Sequence, residues 1–209
     1  MSQDTSQSQP KGAILSRREI RTAVDRGEIK FEPMPTQEQW GEASIDLRLG
    51  FKFTMLKKSK VKFPLAGGIS AVAESGLWVE KTLKKVDSFG QKECHCLEPT
   101  NFLLALTYEH IWMPRHLIGR VEGRSSYARV GLSIHQTAPW IQPGWDGQIT
   151  LEFFNSGPLR LELTPVEDMP CQLTFFYLSS ELTEEEAYGS RPGDTFQHQK
   201  SPLVAGNTE

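Results

Sequence analysis

From residue 13 onward short apolar runs alternate with turn residues, and one early segment departs from that rhythm with a helical period. Ser16 and Glu19 have capping-box spacing, Ile20, Ala23 and Val24 share one face, and Gly27 stands where a helix C-cap belongs. This predicts a helix opening after Ser16. Beyond Pro33 and Pro35, Ile45 to Leu49 alternates apolar and polar residues up to Gly50, and Phe51-Lys-Phe53 follows in the same phase, as strands do. After Cys94 the apolar segments are Phe102 to Thr107, His116 to Val121, Leu132 to His135, Gln148 to Phe154, Leu159 to Leu163 and Gln172 to Leu178, with Pro and Gly between them. Short strands at that spacing suggest an all-β sandwich, jelly roll or distorted barrel. Residues 57–92 carry no clear period. Their lysines, Lys57, Lys58, Lys60, Lys62, Lys81, Lys84 and Lys85, read as a solvated face rather than a polyanion site.

Composition narrows the picture. A chain of 209 residues suits one domain, and 23 basic against 26 acidic residues give a net charge of −3, which argues against DNA or an anionic membrane as partner. Cys94, Cys96 and Cys171 have no framework spacing, the N-terminus lacks an apolar leader run, and no apolar stretch approaches the ~20 residues that cross a bilayer. The expected location is the cytoplasm. Residues 1–12 read as a flexible tail, 13–180 as the folded domain, and 181–209 as a C-terminal segment able to close over a site.

The motifs of loop-type nucleotide hydrolysis and of zinc deamination are both missing. Cys94-His95-Cys96 is a poor metal site, because adjacent strand residues point to opposite faces and no second pair exists. Two segments concentrate chemistry. In Gly123-Arg-Ser-Ser-Tyr-Ala-Arg129-Val-Gly131, two hydroxyls and two guanidinium groups supply donors that suit an anion, although a Ser-rich turn with solvated arginines has the same composition. In Ile141 to Gly157, the compact turns Pro143-Gly144 and Asp146-Gly147 feed a strand that carries one carboxylate, Glu152. Alternation sets it opposite Leu151 and Phe153 and beside Thr150 and Phe154. Such a carboxylate is an exposed strand residue, is paired, or acts as a general base.

At these segments the sequence resembles the dCTP deaminase family of the dUTPase superfamily. The matching residues are Gly123-Arg-Ser-Ser-Tyr-Ala-Arg129-Val-Gly-Leu, His135-x-Thr-Ala138, and Pro143-Gly-Trp-x-Gly-x-Ile-Thr-Leu-Glu152-Phe-Phe-Asn-Ser-Gly157. Ile14-Leu-Ser-x-x-Glu-Ile, Gly41 to Gly50, and Leu97-Glu-Pro through Leu104-Ala-Leu to Pro114 extend the likeness upstream, so that it covers roughly residues 14–200. The resemblance implies a mainly β fold, a distorted jelly roll or β-barrel of the dUTPase type with an N-terminal helix, assembled as a homotrimer with sites between subunits. It implies a dCTP or dUTP-type nucleotide as ligand, with magnesium on its triphosphate and no protein metal site. By position, Glu152, Ser125 and Arg129 would be catalytic. Arg124, Ser125, Ser126, Arg129, Thr137, Ala138, Gln142, Trp145, Thr150, Leu151, Tyr188, Phe196 and Gln199 would bind substrate.

Some positions depart from the family pattern. The residue before Pro143 is usually Asp and here is Gln142, while in the closing segment Thr195 and Phe196 replace the usual Lys and Tyr. The basic Ser-Arg ending often seen is absent. The resemblance therefore implies deamination of dCTP to dUTP and ammonia. Two alternatives remain: a bifunctional enzyme that also releases dUMP and pyrophosphate, and a nucleotide-binding regulatory protein without turnover. Trp145, where other members carry Phe, points to deamination alone.

Overall fold

Helix α1 (Arg17–Asp25) begins where its local sequence places it. The Ser16 backbone N–H and hydroxyl both donate to Glu19 Oε2, at 2.8 and 2.7 Å, and these bonds hold the Glu19 carboxyl below its ordinary value. The helix buries Ile20, Ala23 and Val24, and Gly27 turns the chain away at φ 70°. This computed structural model describes residues 12–203 apart from 61, 64, 65, 67 and 200. Of the expected N-terminal tail only Gly12 is described, and positions 204–209 also lie outside the described residues.

The rest is mainly β. The strands are β1 (Lys30–Glu32), β2 (Ile45–Leu47), β3 (Leu49–Leu56), β4 (Trp78–Thr82), β5 (His95–Leu97), β6 (Phe102–Trp112), β7 (Leu117–Gly123), β8 (Leu132–Ser133), β9 (Trp140–Ile141), β10 (Asp146–Asn155), β11 (Leu161–Leu163) and β12 (Cys171–Tyr177). Short helices α2 (Gly68–Glu74) and α3 (Ser125–Ala128) interrupt them. The largest sheet runs β4-β3-β6-β10-β8 with β1 also paired to β6, a second runs β2-β12-β7-β9, and β11 pairs with β5. All the described pairings are antiparallel, and the sheets do not close into a barrel. Phe53, Phe153 and Phe175, from β3, β10 and β12, are wholly buried in one core.

Strand β6 is longer than its apolar run suggested, and the reason is a bulge. Gln148 faces His110 but Thr150 faces Leu106, so β6 carries two extra residues there. Thr107 spans the gap: its hydroxyl accepts from the Ile149 N–H at 2.9 Å and donates to the Glu109 carbonyl at 2.9 Å. A second irregularity, this one on β3, breaks the phase expected from Leu49 through Phe53. Leu49 pairs with Thr107 and Phe53 with Ala105, so β3 carries two extra residues there, Phe51 is only partly buried, and the strand continues past Gly50. Within the bulge Glu109 points inward, where Oε1 accepts from Arg48 Nε at 2.6 Å and from Gln39 Nε2 at 2.9 Å.

The lysine-rich stretch holds α2 and β4, neither of which its sequence announced. Strand β4 is mostly exposed and is defined by pairing along β3, with Lys81 opposite Phe53. His95 stacks on Phe53 at 5.3 Å, and burial, helped by Lys81, pushes its imidazole below the ordinary range. Cys94, Cys96 and Cys171 are free thiols, and the described residues contain no group of three or more His, Cys, Asp or Glu able to hold a metal ion.

Candidate active site

Strand β10 sets the site by simple alternation. Gly147, Ile149, Leu151, Phe153 and Asn155 are buried, so Gln148, Thr150, Glu152 and Phe154 face the other way. Glu152 sits beside Leu104 of β6, its cross-strand partner. Both belong to a pocket of about 260 Å³. The segment before β10 contributes Ala138, Trp140, Ile141, Gln142 and Trp145 to its walls. Tyr188, Phe196, Gln199 and Pro202 arrive from the C-terminal segment, and Ile69 from α2.

Hydrogen bonds hold Glu152 on the chain that runs past it. Its backbone N–H donates to the Ile134 carbonyl at 2.8 Å, and Oε2 accepts the Gln136 N–H at 2.8 Å. Oε1 has no protein partner among the described residues. The carboxylate is thus oriented through one oxygen while the other is available, as a general base requires.

The aromatic wall is fixed in the same manner. Trp145, almost wholly buried, donates Nε1–H to the Gly147 carbonyl at 3.0 Å and lies 5.3 Å from the Tyr188 ring. Burial pushes the Tyr188 phenol above its ordinary range, and its oxygen accepts the Phe196 N–H at 3.2 Å. Gln199 donates through Nε2 to the Gln148 carbonyl and the Thr150 hydroxyl, both at 2.8 Å. The C-terminal segment can lie this close because Gly144, at φ 85°, has no side chain. A Cβ there would stand 2.9 Å from the Ala187 Cβ.

Eight of the residues expected at the site therefore meet in one pocket: Ala138, Gln142, Trp145, Thr150, Glu152, Tyr188, Phe196 and Gln199. Thr137 is exposed beside the pocket, and the Leu151 side chain is wholly buried on the opposite face of β10. The Gly123–Gly131 motif goes elsewhere. Ser125, Ser126 and Arg129 are exposed on and just after α3, and the Arg129 guanidinium makes no hydrogen bond or ion pair among the described residues. Arg124 is engaged by its own chain, with Nε 3.1 Å from Asp46 Oδ2 and Nη1 donating to the Met169 carbonyl at 3.1 Å. Burial raises the Asp46 carboxyl while Arg124 opposes that shift.

Several pocket residues had no signal in the sequence. Ile69 sits in the stretch without a period, Pro202 in a polar tail, and Trp140 in a two-residue strand. Trp140 is backed by charge: Arg120 lies 5.4 Å over its ring and pairs with Glu122, whose other oxygen is 3.2 Å from His135 Nε2. Burial would raise the Glu122 carboxyl, but the bonds from His135 and Arg120 win and hold it below its ordinary value. A larger cavity of about 530 Å³, lined by Lys57, Lys58, His95 and Phe102 among others, contains none of the expected site residues.

Comparison with known proteins gives this geometry a family. A family model described as dCTP deaminase-like matches residues 14–178. The chain belongs to the dCTP deaminase family. Within it, the chain is 38% identical to the dCTP deaminase of Rhodospirillum rubrum over 90% of its own length and 94% of that protein, and 36% identical to that of Histophilus somni over 91% and 96%. Its fold resembles the crystal structure of 2'-deoxycytidine 5'-triphosphate deaminase from Agrobacterium tumefaciens, with a TM-score of 0.60 at 21% identity. That match covers 80% of this chain and 50% of the other. The family's matched span includes both α3 and the Glu152 strand, whereas Tyr188, Phe196 and Gln199 lie beyond it.

Proposed function

We infer that this protein is an enzyme that hydrolyses dCTP to dUTP and ammonia, with Glu152 as the group that moves protons. The observation that carries the reading is Glu152 itself: a strand carboxylate, oriented by the Gln136 amide, in a pocket walled by Trp145, Tyr188 and Phe196. Aromatic and apolar walls with a few fixed polar groups suit a pyrimidine base. Water gives a proton to Glu152 as its oxygen adds to C4 of the cytosine. Glu152 returns that proton to N3, then carries the second proton of the added water to the amino group. The C4–N bond breaks, ammonia departs and a carbonyl remains at C4. One carboxylate thus serves as base and then acid.

Magnesium belongs to the substrate in this reading, arriving on the triphosphate, and no step runs through it. Ser125 and Arg129 do not reach the Glu152 pocket of their own chain, so we assign them to the pocket of a neighbouring subunit in a homotrimer. There the Arg129 guanidinium and the Ser125 hydroxyl, neither with a partner among the described residues, would meet the nucleotide. Arg124, held by Asp46, shapes the loop that presents them. No helix among the described residues is long and apolar enough to cross a membrane, and the reaction belongs with the cytoplasmic nucleotide pool.

Incubating dCTP and magnesium with the purified protein, followed by chromatography, tests the reading. Wild type should form dUTP, and Glu152→Gln should bind dCTP without converting it. Turnover by Glu152→Gln would remove the assigned mechanism. Release of dUMP would make the enzyme bifunctional, and intact dCTP that still binds would make it a regulatory member.

A further inference from the structure

Asp146 opens β10 directly after Trp145 of the pocket wall, and its carboxylate stands between two imidazoles. Oδ1 is 2.5 Å from His110 Nε2 and Oδ2 is 3.3 Å from His198 Nδ1. His110 is itself held, because its ring stacks on Trp112 two residues along β6 at 4.0 Å. His198 belongs to the C-terminal segment and sits at φ 55°, a conformation that residues with a side chain rarely adopt. Its neighbours reinforce the contact. The His198 N–H donates to the Asp146 carbonyl at 2.8 Å, the Asp146 N–H donates to Gln197 Oε1 at 3.3 Å, and Gln197 Nε2 donates to the Gly144 carbonyl at 3.1 Å.

We propose that His110, Asp146 and His198 form a clasp that fastens the 188–199 segment over the pocket, so that all three are positioning residues for nucleotide binding. The segment supplies Tyr188, Phe196 and Gln199 to the pocket, and Gln199 directly follows the clasped histidine. Gln199 is almost wholly buried, and its Oε1 has no partner among the described residues. Fixing His198 therefore fixes an unused acceptor in the pocket wall. The clasp is distinct from the chemistry: Asp146 lies six positions before Glu152 on the same strand, and neither histidine lines the pocket. Its effect is on how often the segment is closed when nucleotide arrives. The role rests on the pocket being the nucleotide site.

Steady-state kinetics with magnesium dCTP should be compared for wild type, His198→Gly, His198→Asn, Asp146→Asn and the His198→Gly/Asp146→Asn double variant, all as full chains. Glycine relieves the backbone conformation while removing the imidazole, and asparagine tolerates that conformation and keeps an N–H donor. A clasp that sets the closed fraction predicts KM raised about fivefold to tenfold in His198→Gly, with kcat within about twofold. His198→Asn should recover much of the loss, and the double variant should be no worse than the poorer single one. Chymotryptic cleavage after Tyr188, read without nucleotide, should accelerate in His198→Gly and slow again in His198→Asn. Unchanged KM and cleavage in His198→Gly, a fall confined to kcat, or additive single effects would each overturn the clasp. If wild type fails to turn over dCTP, the assigned reaction falls, and the cleavage rates decide the clasp by themselves.

Discussion

Glu109 carries a carboxylate that folding strips of all water, and its neighbours replace what is lost. Arg48 Nε and Gln39 Nε2 donate to Oε1, and the Arg48 backbone N–H donates to Oε2 at 2.9 Å. Glu109→Ala should destabilise the fold by about 3–5 kcal/mol, because the nearly buried Arg48 would keep its charge without a partner. Urea unfolding measures this, and a midpoint close to wild type would show that Arg48 finds other partners. Glu122 makes a pH prediction. Its carboxyl is held below the ordinary value of 4.5, so its stabilisation is present above that pH and is lost as pH falls through the lower folded-state value. Glu122→Gln should flatten the acid limb of the stability profile below about pH 4.5, and an unchanged limb would remove Glu122 as its source. Residues such as Glu152 were legible because period-two alternation fixes a face regardless of the partner strand. Asp146 was not, since its histidines come from β6 and from the C-terminal segment.

At the scale of elements, α1 and β10 stand apart from the rest. The Ser16–Glu19 bonds span three residues, so the helix start is written locally. Ser16→Ala should cost about 1 kcal/mol, a fall of about 2–4 °C in Tm for a chain of this size. Calorimetry checks it, and an unchanged Tm would mean that tertiary packing alone holds the first turn. Strands β4 and β9 show the opposite limit. Each is defined by a hydrogen-bonding neighbour and buries little of its own, which leaves no apolar period to read. The bulge in β6 is tertiary in origin as well. Its two additional residues are extra only against β10, and Glu109, which lies within the bulge, meets Arg48.

At the scale of the whole molecule, no residue of α3 lines the Glu152 pocket of its own chain. If Ser125 and Arg129 complete a neighbour's site, Glu152→Gln and Arg129→Ala should each be inactive alone, and subunits mixed by co-refolding should regain activity. With equal amounts and random assembly, about a quarter of the sites would pair an intact Glu152 with an intact Arg129. No recovery, or a stable monomer in sedimentation, would place both residues in one chain's site or remove Arg129 from catalysis. What the sequence by itself determined was the set of contacts between near neighbours and the faces set by periodicity: the α1 cap, the turn at Pro143-Gly144, and the face of β10 that carries Glu152. Local backbone geometry settles those. The tertiary structure decided which distant segments meet: Arg124 with Asp46, Arg48 with Glu109, Ile69 and the C-terminal segment with the pocket, and His198 with Asp146. Those contacts join residues far apart in the chain, and their energy exists only once the sheets have packed.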